Sequence, residues 1–142
     1  MTAARRFAAL GVGLVLLGLA TGFVSGVLAN PRMGLSAHLE GIMNGTLLLA
    51  LGAVWHQVRL PVRQERWAFG LIAFAAVANW LATLLGALWG AGHALMPIAT
   101  GLHRAAAWQE AVVSWLLITL SLAVVAGLAL VLKGLLVRSP EA

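Results

Sequence analysis

The segment "NPRMGLSAHLEGIMNGTLLLALGAVW", Asn30–Trp55, decides how this chain folds. It opens as a polar turn, Asn30–Gly34, and runs into almost pure hydrocarbon. Yet His38, Glu40 and Asn44 stand where a lipid-soluble helix would carry Leu or Val. From Leu35 to Val58 it is long enough to cross the ~30 Å apolar core of a bilayer, which takes about 20 helical residues.

Three further segments share that property: Phe7–Ala29, Trp67–Gly90 and Ala111–Leu132. Of the 142 residues, 62% are hydrophobic and 9% charged, against about 25% charged in a soluble domain. The segments are too long for a barrel and show no two-residue alternation. In lipid the backbone must satisfy its own hydrogen bonds, so they are helices. The expected fold is an all-α integral membrane protein, a four-transmembrane-helix bundle forming one domain over residues 1–142. The first segment follows Arg5 and Arg6 but exceeds the apolar length of a signal peptide and lacks a cleavage site, so it reads as a retained helix.

The net charge of +5 forms no nucleic-acid patch, because the basic residues stand singly or in pairs between apolar runs. Their distribution sets topology instead. Arg5, Arg6, Arg59, Arg63, Arg66, Lys133 and Arg138 fall on one side, Arg32 and Arg104 on the other. The excess places both termini and the middle loop in the cytoplasm. The connection Ala91–Gln109 then lies outside, broken by Pro97 and glycines. Trp67, Trp89 and Trp108 fall near segment ends, where aromatic belts form. The chain has no cysteine, which excludes disulfides, iron–sulfur ligation and thiol catalysis. It has no tyrosine either.

At 100° per residue, Ala37, Gly41 and Gly45 form a small-residue ridge on the second helix, with Glu40 and Asn44 on one flank and His38 on the other. Two readings compete. Small residues let helices approach, with polar side chains bonded across the contact. Alternatively, ionisable groups inside a membrane mark a cofactor or substrate pocket. On the third helix Asn79, Thr83, Gly86 and Gly90 share one stripe; on the fourth, Glu110, Ser114 and Ser121 do. A shared internal site would explain all three stripes. His56 is expected at the interface, and His93 and His103 in the outer loop, at spacings that fit no zinc pattern. Nucleotide and HExxH motifs are absent.

The stretches "NPRMGLSAHLEGIMNGT", "ANWLATLLGALWGAG" and "MPIA" resemble those of the hydroxylaminobenzene mutase family. The styrene oxide isomerases look like distant members, sharing a histidine followed six residues later by Asn-Gly, here His38, Asn44 and Gly45, and a pair like Ala78-Asn79. The resemblance implies a bacterial inner-membrane isomerase. It also implies haem b between subunits of a homotrimer, with His38 as axial iron ligand and Gly41 and Gly45 beside the cofactor. Asn44 would position the substrate oxygen. The epoxide isomerases carry an aspartate and a tyrosine where Ala75 and Thr83 stand here, which favours the mutase branch.

The mutase reaction converts an aryl hydroxylamine to an ortho-aminophenol, with ferric haem expected as Lewis acid. Asn44 and Asn79 would orient the substrate and Thr83 would donate a hydrogen bond. Glu40 would stabilise an electron-poor intermediate or move a proton, unless it pairs with Arg32 or Arg104. The alternatives are an epoxide-to-aldehyde isomerase, an electron-transfer haem protein and a non-catalytic scaffold. Electron transfer would normally need two axial histidines across the bundle, and only His38 is placed for that.

Overall fold

The computed structural model describes residues 2–137. Arg138, one of the charges assigned to the cytoplasmic side, lies outside the described residues. The chain is helical throughout its ordered elements: α1 (Ala3–Val24), α2 (Pro31–Val54), α3 (Val62–Trp89), a short α4 (Pro97–Thr100) and α5 (Ala107–Leu136). Four of these are long and apolar enough to cross a membrane.

Helix α2 begins four residues earlier than hydropathy suggests. Pro31 occupies its first turn, where a missing N–H costs nothing and the fixed φ suits a helix. Asn30 caps it, its Oδ1 accepting the backbone N–H groups of Arg32 (3.1 Å) and Met33 (3.3 Å). The expected exposed polar turn is therefore the first turn of a helix, and Asn30 is buried. Its Nδ2 donates to the carbonyls of Ala99 and Thr100, both at 3.3 Å, and its N–H to the carbonyl of Ala87 at 2.9 Å. One asparagine thus ties α2 to the end of α3 and to α4. His38 and Asn44 consequently sit about one helical turn deeper than expected.

Helix α3 starts at Val62 rather than Trp67, because Arg63, Gln64, Glu65 and Arg66 continue a helix although they do not suit lipid. It stops at Gly90, whose φ of 70° is a left-handed conformation that favours glycine. Glu65 then accepts the indole N–H of buried Trp55 at 3.0 Å, closing the α2–α3 turn.

The packing follows chain order. α1 lies along α2, α2 along α3, and α3 along α5, with a lesser contact between α1 and α3. α1, α2 and α3 all touch one another, and α5 packs on through α3 rather than closing a symmetric bundle. One core gathers Phe7, Leu48, Leu51, Trp55, Ala68 and Ile72; a second, between α3 and α5, gathers Ala75, Ala78, Leu120 and Ala123. The α1–α2 contact is built on small residues. A Cβ added at Gly41 would lie 2.5 Å from Gly18 Cα, and one at Gly45 would lie 2.7 Å from the Gly11 carbonyl. Backbones this close leave space for nothing larger than glycine.

Candidate active site

The ridge Ala37–Gly41–Gly45 is covered by α1. This corrects the reading of Gly41 and Gly45 as cofactor-facing residues: they let two helices touch. The packing explanation holds for the glycines, whereas the polar residues on the ridge's two edges form separate features.

On one edge, the Glu40 carboxylate joins α2 to α3. Its Oε2 accepts an amide N–H from Asn44 at 2.9 Å and another from Asn79 at 2.6 Å. Asn44 also donates to the backbone carbonyl of Glu40 at 2.9 Å, so it is held at two points. Asn79 is placed by its helix. The preceding Ala78 and Ala75 pack toward α5, and the next residue, Trp80, reaches α1, where its indole N–H donates to Thr21 Oγ1 at 3.1 Å. Asn79 is left facing α2 between them. All three polar residues are half-buried. Glu40, Asn44 and Asn79, drawn from two polar stripes of the sequence, lie together in space with the carboxylate at the centre. Glu40 bonds to amides; Arg104 is turned to the carbonyls of Gly101 and His103 and to His93.

On the other edge, His38 packs against α1. Its Nδ1 lies 2.8 Å from the Gly18 carbonyl. A carbonyl only accepts, so Nδ1 carries the proton, and in the neutral ring Nε2 holds the lone pair. Gly22 makes space for the ring: a Cβ there would lie 2.5 Å from Nδ1. Since α1 covers the ridge, His38 and the Glu40 cluster emerge on opposite sides of it. Sequence places them on two flanks of one groove; the structure fills that groove with a helix.

Thr83 departs from the role expected of it. The hydroxyl is buried and donates back to the carbonyls of Asn79 (2.9 Å) and Trp80 (3.0 Å), so its proton is committed within α3. Ala75 is buried between α3 and α5. The α5 stripe does not join the cluster as a unit either. Glu110 accepts the N–H groups of Gly92 (3.0 Å) and His93 (3.3 Å), clamping the connection between α3 and α5 to the start of α5. Ser121 is exposed and bonds back to the Leu117 carbonyl at 2.7 Å. His56 is exposed on the turn after α2, and His93 and His103 belong to the loop, where His93 Nδ1 meets Thr100 and Arg104. Among the described residues no three His, Cys, Asp or Glu side chains gather as a metal-ion site.

Two features escape the sequence reading. Asn30 is a structural tie rather than a surface residue, and the Asn-Pro pair signals a helix cap and first turn. The small residues Gly11, Gly18 and Gly22 of α1 match those of α2, and their spacing of seven and four marks the face that covers the ridge.

A family model described as styrene oxide isomerase matches residues 3–136. Hydroxylaminobenzene mutase HabB of Ectopseudomonas oleovorans is 52% identical over 132 residues, covering 93% of this chain and 80% of its own length. Hydroxylaminobenzene mutase HabA of the same organism is 44% identical over 126 residues, covering 89% and 93% respectively. No solved structure matches the chain. Near-complete coverage at these identities makes the protein an isomerase of the mutase kind, and the chain belongs to the styrene oxide isomerase family.

Proposed function

We propose that the protein rearranges an aryl hydroxylamine to an ortho-aminophenol within the membrane. The observation that carries this reading is the near-full-length likeness to two hydroxylaminobenzene mutases. The reaction is an isomerisation. The N–O bond breaks with its electron pair on oxygen, a C–O bond forms at the ortho carbon, the proton on that carbon leaves, and nitrogen gains one. No external electron or hydrolytic water is consumed.

The chain's own side chains account for orientation and proton movement. Asn44 and Asn79, fixed by the Glu40 Oε2, hold the N–OH group. The second carboxylate oxygen of Glu40 takes the ortho proton and returns it to nitrogen, the work of a positioned general base. The aliphatic helices around the cluster keep out water that would trap an electron-poor ring.

Where haem b is bound, His38 would hold it through Nε2. A ligating histidine normally donates its other ring N–H to a carbonyl or carboxylate, and His38 does so to Gly18. When bound, the haem would supply a Lewis acid for the departing oxygen. His38 and the Glu40 cluster leave α2 on opposite sides of α1, so an oligomer is the simplest arrangement in which one substrate meets both. The homotrimer implied by the family resemblance is therefore part of this proposal, as is a bacterial inner membrane with both termini in the cytoplasm.

The second reading, an epoxide isomerase, is favoured by the family description. Against it, Ala75 and Thr83 offer neither a carboxylate nor a free hydroxyl donor beside Asn79. Incubating the purified full-length protein with phenylhydroxylamine and, separately, with styrene oxide decides between them. Formation of 2-aminophenol is expected; turnover of the epoxide alone reverses the assignment.

A further inference from the structure

We propose that Glu40 turns Asn44 and Asn79 so that their carbonyl oxygens face the ligand, making the cluster an acceptor-rich site that selects substrates bearing N–H and O–H donors. This rests on the reading of the α2–α3 cluster as the substrate site and names what that site recognises.

The argument is a count of hydrogens. A primary amide has two N–H donors and one carbonyl acceptor. Asn44 directs its nitrogen at the Glu40 backbone carbonyl and at Glu40 Oε2, both at 2.9 Å. The backbone carbonyl can only accept, so the amide orientation follows, and both Asn44 donors are used inside the chain. Asn79 spends one N–H on the same Oε2. Among the described residues, three oxygens are left without a donor: Glu40 Oε1, Asn44 Oδ1 and Asn79 Oδ1. These oxygens reach the surface, because no fully buried side-chain nitrogen or oxygen among the described residues lacks a partner. Against three acceptors stands one spare donor, the second N–H of Asn79. The Thr83 hydroxyl, the next polar group along that face, is committed to its own helix.

An aryl hydroxylamine carries an N–H and an O–H, and so can satisfy two of the three oxygens. An epoxide carries no polar hydrogen. Seating it would strip water from a carboxylate and two carbonyls and return at most the one spare Asn79 N–H. A site built to bond a substrate's OH or NH rejects the analogue that lacks it far more strongly than an apolar pocket rejects a missing methylene. Glu40 is a positioning residue in this respect: without its Oε2, Asn79 is free to rotate by 180° and present nitrogen instead, and Asn44 keeps only the backbone carbonyl of residue 40.

The test reads binding, so it does not depend on turnover. The full-length protein in detergent is titrated with matched pairs, phenol against anisole and aniline against N,N-dimethylaniline, following tryptophan fluorescence. The donor-bearing member of each pair is expected to bind about tenfold more tightly, ~1.4 kcal/mol. In Glu40→Leu and in Asn44→Leu that preference is expected to fall below about threefold. Equal binding of both members by the wild-type protein overturns the proposal, as does an unchanged preference in a folded Glu40→Leu protein. Should that variant not fold, the wild-type pairs alone decide the question. A donor preference without phenylhydroxylamine turnover sinks the proposed reaction and leaves this inference standing; turnover without a donor preference does the reverse.

Discussion

Asn79 Nδ2 donates to Glu40 Oε2 at 2.6 Å, joining α3 to α2 across 39 residues of chain. Both helices are otherwise almost wholly apolar around this contact, so each group is the other's alternative to an unmet charge or amide. Hydrogen bonds between membrane helices average only about 0.6 kcal/mol, with the best near 1.7. A carboxylate acceptor places this one toward the upper end. A double-mutant cycle on Glu40→Leu and Asn79→Leu, read by unfolding in detergent, is expected to give a coupling of about 1–2 kcal/mol. Additive effects would show that the bond contributes nothing to the fold.

The α1–α2 contact predicts a contrast among glycines. A Cβ at Gly18 would lie 2.8 Å from Ile42 N and 2.9 Å from Gly41 C, both backbone atoms that move only if the helices part. Gly18→Ala should therefore destabilise by about 1–3 kcal/mol, the usual cost of overpacking. Gly13 lies on the same helix with nothing within 4 Å of its added Cβ. Gly13→Ala should be neutral or stabilise by about 0.5–1 kcal/mol, because glycine is a poor helix former. Thermal unfolding of the two variants side by side checks the pair.

Why sequence reaches the cluster but not the filling of the groove follows from these same residues. Angle alone puts Glu40 and Asn44 on one edge of the ridge and His38 on the other, since 100° per residue is a property of any α-helix. What fills a row of glycines is decided by a neighbour, and a backbone and a cofactor both fit beside Gly41 and Gly45. The matching glycines of α1 hold that information, but only as a pair with α2. Segment ends are blurred because hydropathy measures where lipid begins, not where hydrogen bonding stops: Arg63–Arg66 are charged or polar yet helical. Thr83 differs from expectation because its hydroxyl proton goes to the nearest carbonyls of its own helix, which no spacing pattern reveals.

Asn30 should be among the most sensitive residues at the α4 end of the bundle. It caps α2 and bonds two carbonyls of α4 from a buried position. Asn30→Ala removes a cap worth about 1 kcal/mol and leaves the Ala99 carbonyl without a donor, while the Thr100 carbonyl keeps the His103 N–H. The combined loss is expected near 2 kcal/mol. Faster proteolysis within 91–106, with the α1–α2 contact still intact, would identify the loop as the part released. Cleavage at the wild-type rate would show that Asn30 does not hold it.

His38 supplies a prediction in which colour, fold and activity separate. If the protein binds haem through Nε2, the purified wild type carries a Soret band and His38→Ala loses it. Loss of colour alone could reflect a damaged fold, so a gentler variant is needed. Gly22→Ala puts a Cβ 2.5 Å from His38 Nδ1 and 2.8 Å from Cε1, pushing the ring without removing the ligand. The Gly18 carbonyl would then no longer hold the Nδ1–H at 2.8 Å. Disturbing such an orienting bond typically costs 10–100-fold in affinity for the metal. Gly22→Ala should accordingly bind haem at least tenfold more weakly while keeping its helical content. A colourless wild-type preparation that still rearranges phenylhydroxylamine would remove haem from the mechanism. The chemistry would then fall to Glu40, Asn44 and Asn79, whose contacts lie on the other side of α1 and do not depend on His38.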